Sequence, residues 1–178
     1  MSDAARFEAF VREYQDMVFA TAVRLLGRQS DAEDVAQTVF MRAFERFTEI
    51  ASSPSAAGWL KTVTMNLCLN HLSRYRARWQ LFSEMDNARD GPALSTRLAL
   101  LATAPADFER VEQQERLERA LRRLPDHQRL PLVLFHFEEM SYQAIAETLR
   151  VSLAKVKTDI HRGRETLKQE LSTPDGSH

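Results

Sequence analysis

Ser141 to Leu171, reading SYQAIAETLRVSLAKVKTDIHRGRETLKQEL, carries two helical hydrophobic patterns with only Arg150 and Val151 between them. A short pattern covers Tyr142–Leu149 and a longer one Ser152–Leu171, which is the sequence shape of a helix-turn-helix. In the longer pattern Leu153, Val156, Ile160, Gly163, Leu167 and Leu171 recur at spacings of three and four, so they are expected to form one stripe facing a core. Ala154, Lys155, Thr158, His161 and Arg162 are then expected to project away from that stripe, with Lys157, Arg164 and Lys168 along its flank. Between Arg150 and Lys168 six Lys/Arg stand against two acids, Asp159 and Glu165. Short polar groups and an arginine suit base edges, and basic flanks suit phosphates. A solvated helix packed on its neighbour has the same composition, so taken alone the pair leaves both readings open.

The rest of the chain is also helical in pattern. Phe7, Phe10, Val11, Tyr14, Met17, Val18, Thr21, Ala22 and Leu25 keep helical spacing, and Gly27 ends the run as a C-cap. Ser30 with Glu33 reads as a capping box opening a second amphipathic helix over Val35, Val39, Phe40, Ala43, Phe44 and Phe47. Asp31, Glu33 and Asp34 in its first turn suit the helix dipole, and suit a protein-binding surface equally well. After a loop over Ile50–Ala56, a third helix is predicted from Ser55 or Ala57 through Arg78. Trp59, Leu60, Val63, Leu67 and Leu72 supply its expected buried face, while Asn66, Asn70, Ser73, Arg74, Arg76 and Arg78 gather toward its end. Amides, a hydroxyl, aromatics and arginines without acids can hold unpaired bases and phosphates; arginines near a helix C-terminus also satisfy its dipole. Cys68 and His71 are too few to make a metal site.

From Gln80 to Pro105 turn residues interrupt the pattern, predicting a flexible linker in which Leu94–Leu101 forms a turn of helix or lies on a partner. Helical character returns at Ala106–Arg123, with Phe108, Val111, Leu117, Leu121 and Leu124 on one side. Pro125-Asp126 starts a further helix, with Leu130, Leu132, Val133, Leu134, Phe135 and Phe137 as core candidates and Pro131 tolerated near its start. The expected fold is all-α, two small helical domains joined by a linker, divided as 1–79, 80–105, 106–171 and a tail over 172–178. Net charge is −1, so nucleic-acid binding must rest on where charges sit. A single cysteine fits a reducing compartment, and no run of apolar residues matches a bilayer, so the expected location is cytoplasmic. No P-loop and no nucleophile with a base and orienter is present, so neither an enzyme nor a cofactor is expected.

Two helical domains, one with an amide- and arginine-rich helix and one with a helix-turn-helix, together resemble an extracytoplasmic-function sigma factor of the sigma-70 family. The matching segments are SDAEDVAQTVFMRAF at Ser30–Phe44, GWLKTVTMNLCLNHLSR at Gly58–Arg74, the segment from Ala120 to Leu149, and VSLAKVKTDIHRGRETLKQEL at Val151–Leu171. By that resemblance Asp31, Glu33, Asp34, Gln37 and Phe40 match the surface for the clamp helices of the RNA polymerase β′ subunit. Asn66, Asn70, Ser73 and Arg74 match the part that captures the opened minus-ten strand, with Arg76 and Arg78 on its phosphates. Lys155, Lys157, Thr158, His161, Arg162 and Arg164 match positions that contact the minus-thirty-five duplex, and the preceding helices resemble the face that sits on the β flap. An anti-sigma factor is a further partner that the resemblance implies. The chain departs from the family pattern at Met65, Ser73, Ala144, Arg150, Ala154-Lys155 and Asp159. Ala144 removes the capping partner of Ser141, and Arg150 stands where a left-handed conformation favours Gly. An autonomous helix-turn-helix regulator is the competing reading.

Overall fold

The computed structural model describes residues 1–73 and 107–173. Among these residues every regular element is a helix, and the chain divides into two compact units, Met1–Arg74 and Tyr75–His178. The expected linker over 80–105, the segment Leu94–Leu101 and the tail over 174–178 lie outside the described residues.

The first unit contains α1 (Asp3–Leu26), α2 (Gln29–Glu45), the single turn α3 (Phe47–Ile50) and α4 (Ala56–His71). Ser2 starts α1 by accepting the Ala5 N–H on Oγ at 3.2 Å. Gly27 ends it at φ 73°, returning its N–H to the Val23 carbonyl at 2.8 Å, a left-handed cap that glycine takes without strain. α2 begins one residue before Ser30, after Arg28, and has no side-chain cap. The expected Ser30–Glu33 capping box therefore does not form; Glu33 instead accepts from Gln29 Nε2 at 3.2 Å.

α1, α2 and α4 enclose a core of Val18, Ala22, Leu25, Val35, Val39 and Leu60, with Ala32 and Ala43 letting the backbones approach. On α4 the buried stripe is Ala56, Leu60, Thr64, Cys68 and Leu72. The expected face through Trp59, Val63 and Leu67 is only half-buried. Both stripes have helical spacing, and Thr64 qualifies for the dry side because its Oγ1 donates to the Leu60 carbonyl at 2.6 Å. An aromatic cluster closes one end of the unit: Phe7 meets Phe44 and Phe47 edge to face at 5.0 and 5.2 Å, and Phe10 meets Phe47 at 5.6 Å.

The second unit contains α5 (Asp107–Arg123), α6 (Asp126–His136), α7 (Tyr142–Leu149) and α8 (Leu153–Ser172). Leu121, Leu130, Leu132, Leu134, Ile145, Ile160 and Leu167 form its core. Phe108 and Val111 do not join them: α5 is buried only from Leu117 onward, and these two side chains are 82% and 59% exposed. The C-terminal half of α5 is tied to α8 where Arg116 donates to the Leu171 carbonyl and Arg123 to Glu170, each at 3.1 Å. At the α5–α6 corner the buried Arg129 donates to the Leu124 carbonyl at 2.9 Å and to Asp126 at 2.5 Å. α6 continues through Pro131 without a break. Phe135 and Phe137, expected in the core, are half-buried.

The helix-turn-helix forms as expected. Ser141 Oγ accepts the Ala144 N–H at 3.1 Å, so one half of the capping box survives and only the reciprocal bond is lost to Ala144. Arg150 ends α7 at φ 58°, ψ 46°, and the Val151 N–H returns to the Ala146 carbonyl at 3.0 Å. Holding a non-glycine residue there costs about 1 kcal/mol. α8 packs on α6 at Gly163, where a Cβ would meet Leu132 Cδ1 at 3.0 Å and the Gln128 carbonyl oxygen at 3.3 Å. Farther along, the Arg164 Nε and Nη2 atoms lie 3.2 Å from His136 Nε2, and the guanidinium carbon lies 5.7 Å from the Phe135 ring centre. Burial, then the Arg164 charge, lowers His136 from 6.5 to about 4, so the ring is neutral at pH 7 and its Nε2 accepts.

Two outcomes follow from this packing. Gly163→Val forces a branched side chain against Leu132 and the α6 backbone, and should lower stability in urea unfolding by about 2 kcal/mol. For His136, the unfolded ring titrates near 6.5 and takes up a proton that the folded unit refuses until about pH 4. Stability of the second unit should therefore fall as pH drops from about 6.5 toward 4. Amide-exchange protection of α6 and α8 measures this, and His136→Gln, which keeps an acceptor but cannot take the proton, should flatten the dependence.

Candidate functional site

Three surfaces carry the residues singled out in the sequence. On α2, Glu33, Asp34 and Gln37 are exposed, and Asp31 is half-buried with its Oδ2 3.6 Å from His71 Nε2 on α4. Asp34 also helps hold its own helix, through a carbonyl that accepts Thr38 Oγ1 at 3.1 Å. Phe40 is half-buried. The same side of the helix continues into Met41 and Phe44, each 61% exposed. Spacings of four, three, one and three run through Glu33, Gln37, Phe40, Met41 and Phe44, so an acidic and amide end grades into an apolar end along one stripe. Periodicity assigns Phe44 to the core and not Met41; the inward positions of α2 are Ala32, Val35, Val39 and Ala43, and Phe44 meets Phe7 by an edge while staying mostly exposed. Two large apolar side chains left beside acids are what a protein-binding surface looks like.

On α4, Asn66 and Asn70 are exposed four residues apart and share one side, and Ser73, two residues past the helix end at His71, is exposed as well. Arg74, Arg76 and Arg78, expected to continue this surface, lie outside the described residues. Thr62 extends the stripe toward the helix start, although its Oγ1 donates to the Gly58 carbonyl at 2.9 Å. Beside it stand the half-buried Trp59 and Val63. A half-buried indole on the same side of the helix as two exposed amides offers groups of the kind that stack bases and bond their edges. Cys68, weighed with His71 as half of a metal pair, is fully buried in the core.

On α8, Ala154, Lys157, Arg162 and Lys168 are exposed, while Thr158, His161 and Arg164 are half-buried. Lys155 departs from expectation. Its side chain is 9% exposed and its Nζ lies 2.8 Å from Asp159 Oδ2, itself 6% exposed. The two groups are one turn apart and fold inward toward His127 on α6, in a small cleft also lined by Pro131, Leu149, Val151 and Val156. Burial raises the Asp159 carboxyl, and the Lys155 hydrogen bond and charge oppose that rise. Burial likewise lowers His127, against the pull of Asp159. Held inward by a carboxylate at contact distance, the Lys155 ammonium is turned away from the outer face of the helix. The outward basic groups are therefore Lys157, Arg162 and Lys168, with Arg164 held on the flank by His136 and Phe135.

The chain as a whole matches known proteins in two places and along its length. Residues 10–78 match the family Sigma-70 region 2, and residues 114–167 match Sigma-70, region 4. Over 170 residues it is 28% identical to the ECF RNA polymerase sigma factor SigW of Bacillus subtilis, covering 95% of this chain and 90% of that protein. Over 177 residues it is 30% identical to the RNA polymerase sigma-E factor of Streptomyces coelicolor, covering 98% and 91% respectively. Among solved structures, the sigma factor RpoE crystallised with the anti-sigma factor NepR from Bartonella quintana shares the fold, with a TM-score of 0.50 and 22% identity over 94% of this chain and 97% of that one. A helix with exposed amides in one unit, a basic-faced helix-turn-helix in the other, and full-length relatives that join the two in the same order identify the chain as a member of the extracytoplasmic-function sigma factors of the sigma-70 family.

Proposed function

We propose that this chain binds core RNA polymerase, directs it to specific promoters and helps open the duplex there. The observation that carries the reading is the split of chemistry between units: exposed amides beside a half-accessible indole on α4, and an outward basic face on α8. Unpaired bases need stacking and edge contacts to stay outside the helix, at a cost of a few kcal/mol per base when none are supplied. A duplex needs a helix that enters its major groove and cations that hold its backbone. Neither surface suits the other task.

In this reading residues 1–79 act on the minus-ten element and 106–171 on the minus-thirty-five element, with 80–105 connecting them and 172–178 as a tail. Asn66, Asn70 and Ser73 hold the opened strand, and Arg74, Arg76 and Arg78 supply charge to its phosphates. Lys157, Thr158, His161 and Arg162 face the upstream duplex, and Arg164 reaches it from the flank. Lys155, paired inward with Asp159, is left out of the contact set in this reading. Glu33, Asp34, Gln37 and Phe40, with Met41 and Phe44 added, dock on the β′ clamp helices, and Asp31 serves that surface while facing His71. The second unit docks on the β flap. An anti-sigma factor covers polymerase-binding faces when the chain is held inactive, as RpoE is found with NepR. Catalysis belongs to the polymerase. The chain works in the cytoplasm, where polymerase is, and no helix among the described residues is long and apolar enough to cross a membrane.

Run-off transcription with core polymerase tests the reading: the full chain should program initiation at defined promoters, and a mixture yielding no specific transcript from any promoter would refute it. Asn66→Ala and Asn70→Ala together should cut strand opening, read by permanganate reactivity, at least tenfold while duplex binding by the holoenzyme changes little. Salt dependence separates the lysines on α8. Lys157→Ala should reduce the slope of log affinity against log salt by about 1. The double variant Lys155→Met, Asp159→Leu should leave that slope unchanged and keep the fold, since apolar replacement of a buried pair is often neutral or stabilising.

A further inference from the structure

The first turn of α8 offers DNA little that is polar. Ser152 Oγ accepts the Lys155 N–H at 3.1 Å, and Lys155 Nζ is drawn back onto Asp159 at 2.8 Å. What the turn presents outward is Ala154, exposed, and Leu153, 43% exposed. The sequence pattern places Leu153 in the core stripe and Lys155 outside it. Both positions are reversed for one reason. The buried residues of α8 are Lys155, Val156, Asp159, Ile160, Gly163 and Leu167, an arc rotated away from Leu153 toward Lys155 because Gly163 sets the line of contact with α6. Lys157, four residues beyond Leu153, lies on the same side of the helix and is exposed, so a phosphate held by Lys157 brings the groove wall to Leu153.

A recognition helix reads base edges with its N-terminal residues. In the major groove the feature that an apolar side chain can distinguish is the 5-methyl group of thymine. Resting on the assignment of α8 as the duplex-reading helix, we propose that Leu153 reads one thymine of the upstream promoter element by packing against its 5-methyl group, the small Ala154 letting this turn approach the bases closely. Specificity at that end of the element then comes from shape and apolar contact, and the charged groups farther along α8 supply the polar readout.

The test uses holoenzyme assembled from core polymerase and the full chain, bound to promoters mapped from its own transcripts. Each thymine of the upstream element is replaced in turn by deoxyuridine, which lacks only the methyl group. One replacement should weaken binding about fourfold, the equivalent of one buried methyl, and 5-methylcytosine at that position should bind better than cytosine. Leu153→Ala should abolish the sensitivity at that thymine alone, and Leu153→Met, which keeps an apolar side chain of similar reach, should retain it. Leu153 is exposed enough for both variants to fold, and circular dichroism checks that they do. If holoenzyme initiates at defined promoters yet tolerates every replacement, or if Leu153→Ala keeps the same sensitive thymine, the methyl reading is wrong and the promoter role stands. If unmodified promoters are not bound specifically at all, the promoter role itself fails and takes the methyl reading with it.

Discussion

The close seating of α8 on α6 governs what the second unit can present to a ligand. Gly163 permits that seating, because a Cβ there would press on Leu132 and on the Gln128 carbonyl. Once the line of contact runs through Gly163, rotation of α8 about its own axis is fixed and each of its residues has an assigned side. Lys155 and Asp159 come to lie inward, where neither charge is tolerable without the other. The pair is therefore less a source of stability than a condition on the seating: it makes polar positions acceptable on a face that a glycine has selected. Ser152 and Arg150 complete the arrangement from the other end, one capping α8 and the other accepting a left-handed backbone so that α7 and α8 meet across so short a turn.

Much of this could be read from the sequence, and most of the misreadings have a common origin. Gly27 and the Arg150 turn are legible because left-handed positions are dictated by local chemistry, whereas the Ser30–Glu33 box has the right spacing and does not form. Which face of a helix turns inward depends on partners that are distant in sequence. On α4, Trp59, Val63 and Leu67 have helical spacing, yet the stripe through Ala56, Leu60, Thr64 and Cys68 has it too and is the one that α1 and α2 cover. On α8 the i, i+4 spacing of Lys155 and Asp159 suggests an ion pair, but charged residues are so seldom buried that nothing local signals an inward one. Phe108 and Val111 continue the apolar stripe of α5 by spacing alone, and among the described residues the stripe outruns the helices that cover it. The candidate surfaces fared differently from one another. Asn66, Asn70 and Ser73 stand outward as expected, whereas the apolar end of the α2 surface at Met41 and Phe44 emerges only when the core is seen to close without them.

The two units reach their surfaces by different means. In the first, the exposed chemistry lies on long helices whose inward faces are filled by small residues and an aromatic cluster, so outward side chains are displayed on rigid rods. In the second, a short hairpin is positioned by polar contacts: Arg129 at the α5–α6 corner, His136 against Arg164, and the Lys155–Asp159 pair. Polar seating is directional and fails sharply when one partner changes. The unit that carries the helix-turn-helix is thus the one whose geometry is the more exactingly specified.

One feature of the first unit bears on how such a protein can receive a signal. Cys68 is the chain's single cysteine, and it is fully buried on the inward stripe of α4, one turn from Thr64 and Leu72. A thiol enclosed in an apolar core is shielded from peroxide and from disulfide exchange, because reactivity requires thiolate character and access. While the unit is folded this thiol is closed to oxidants, so a redox signal that works through cysteine chemistry has no foothold on Cys68.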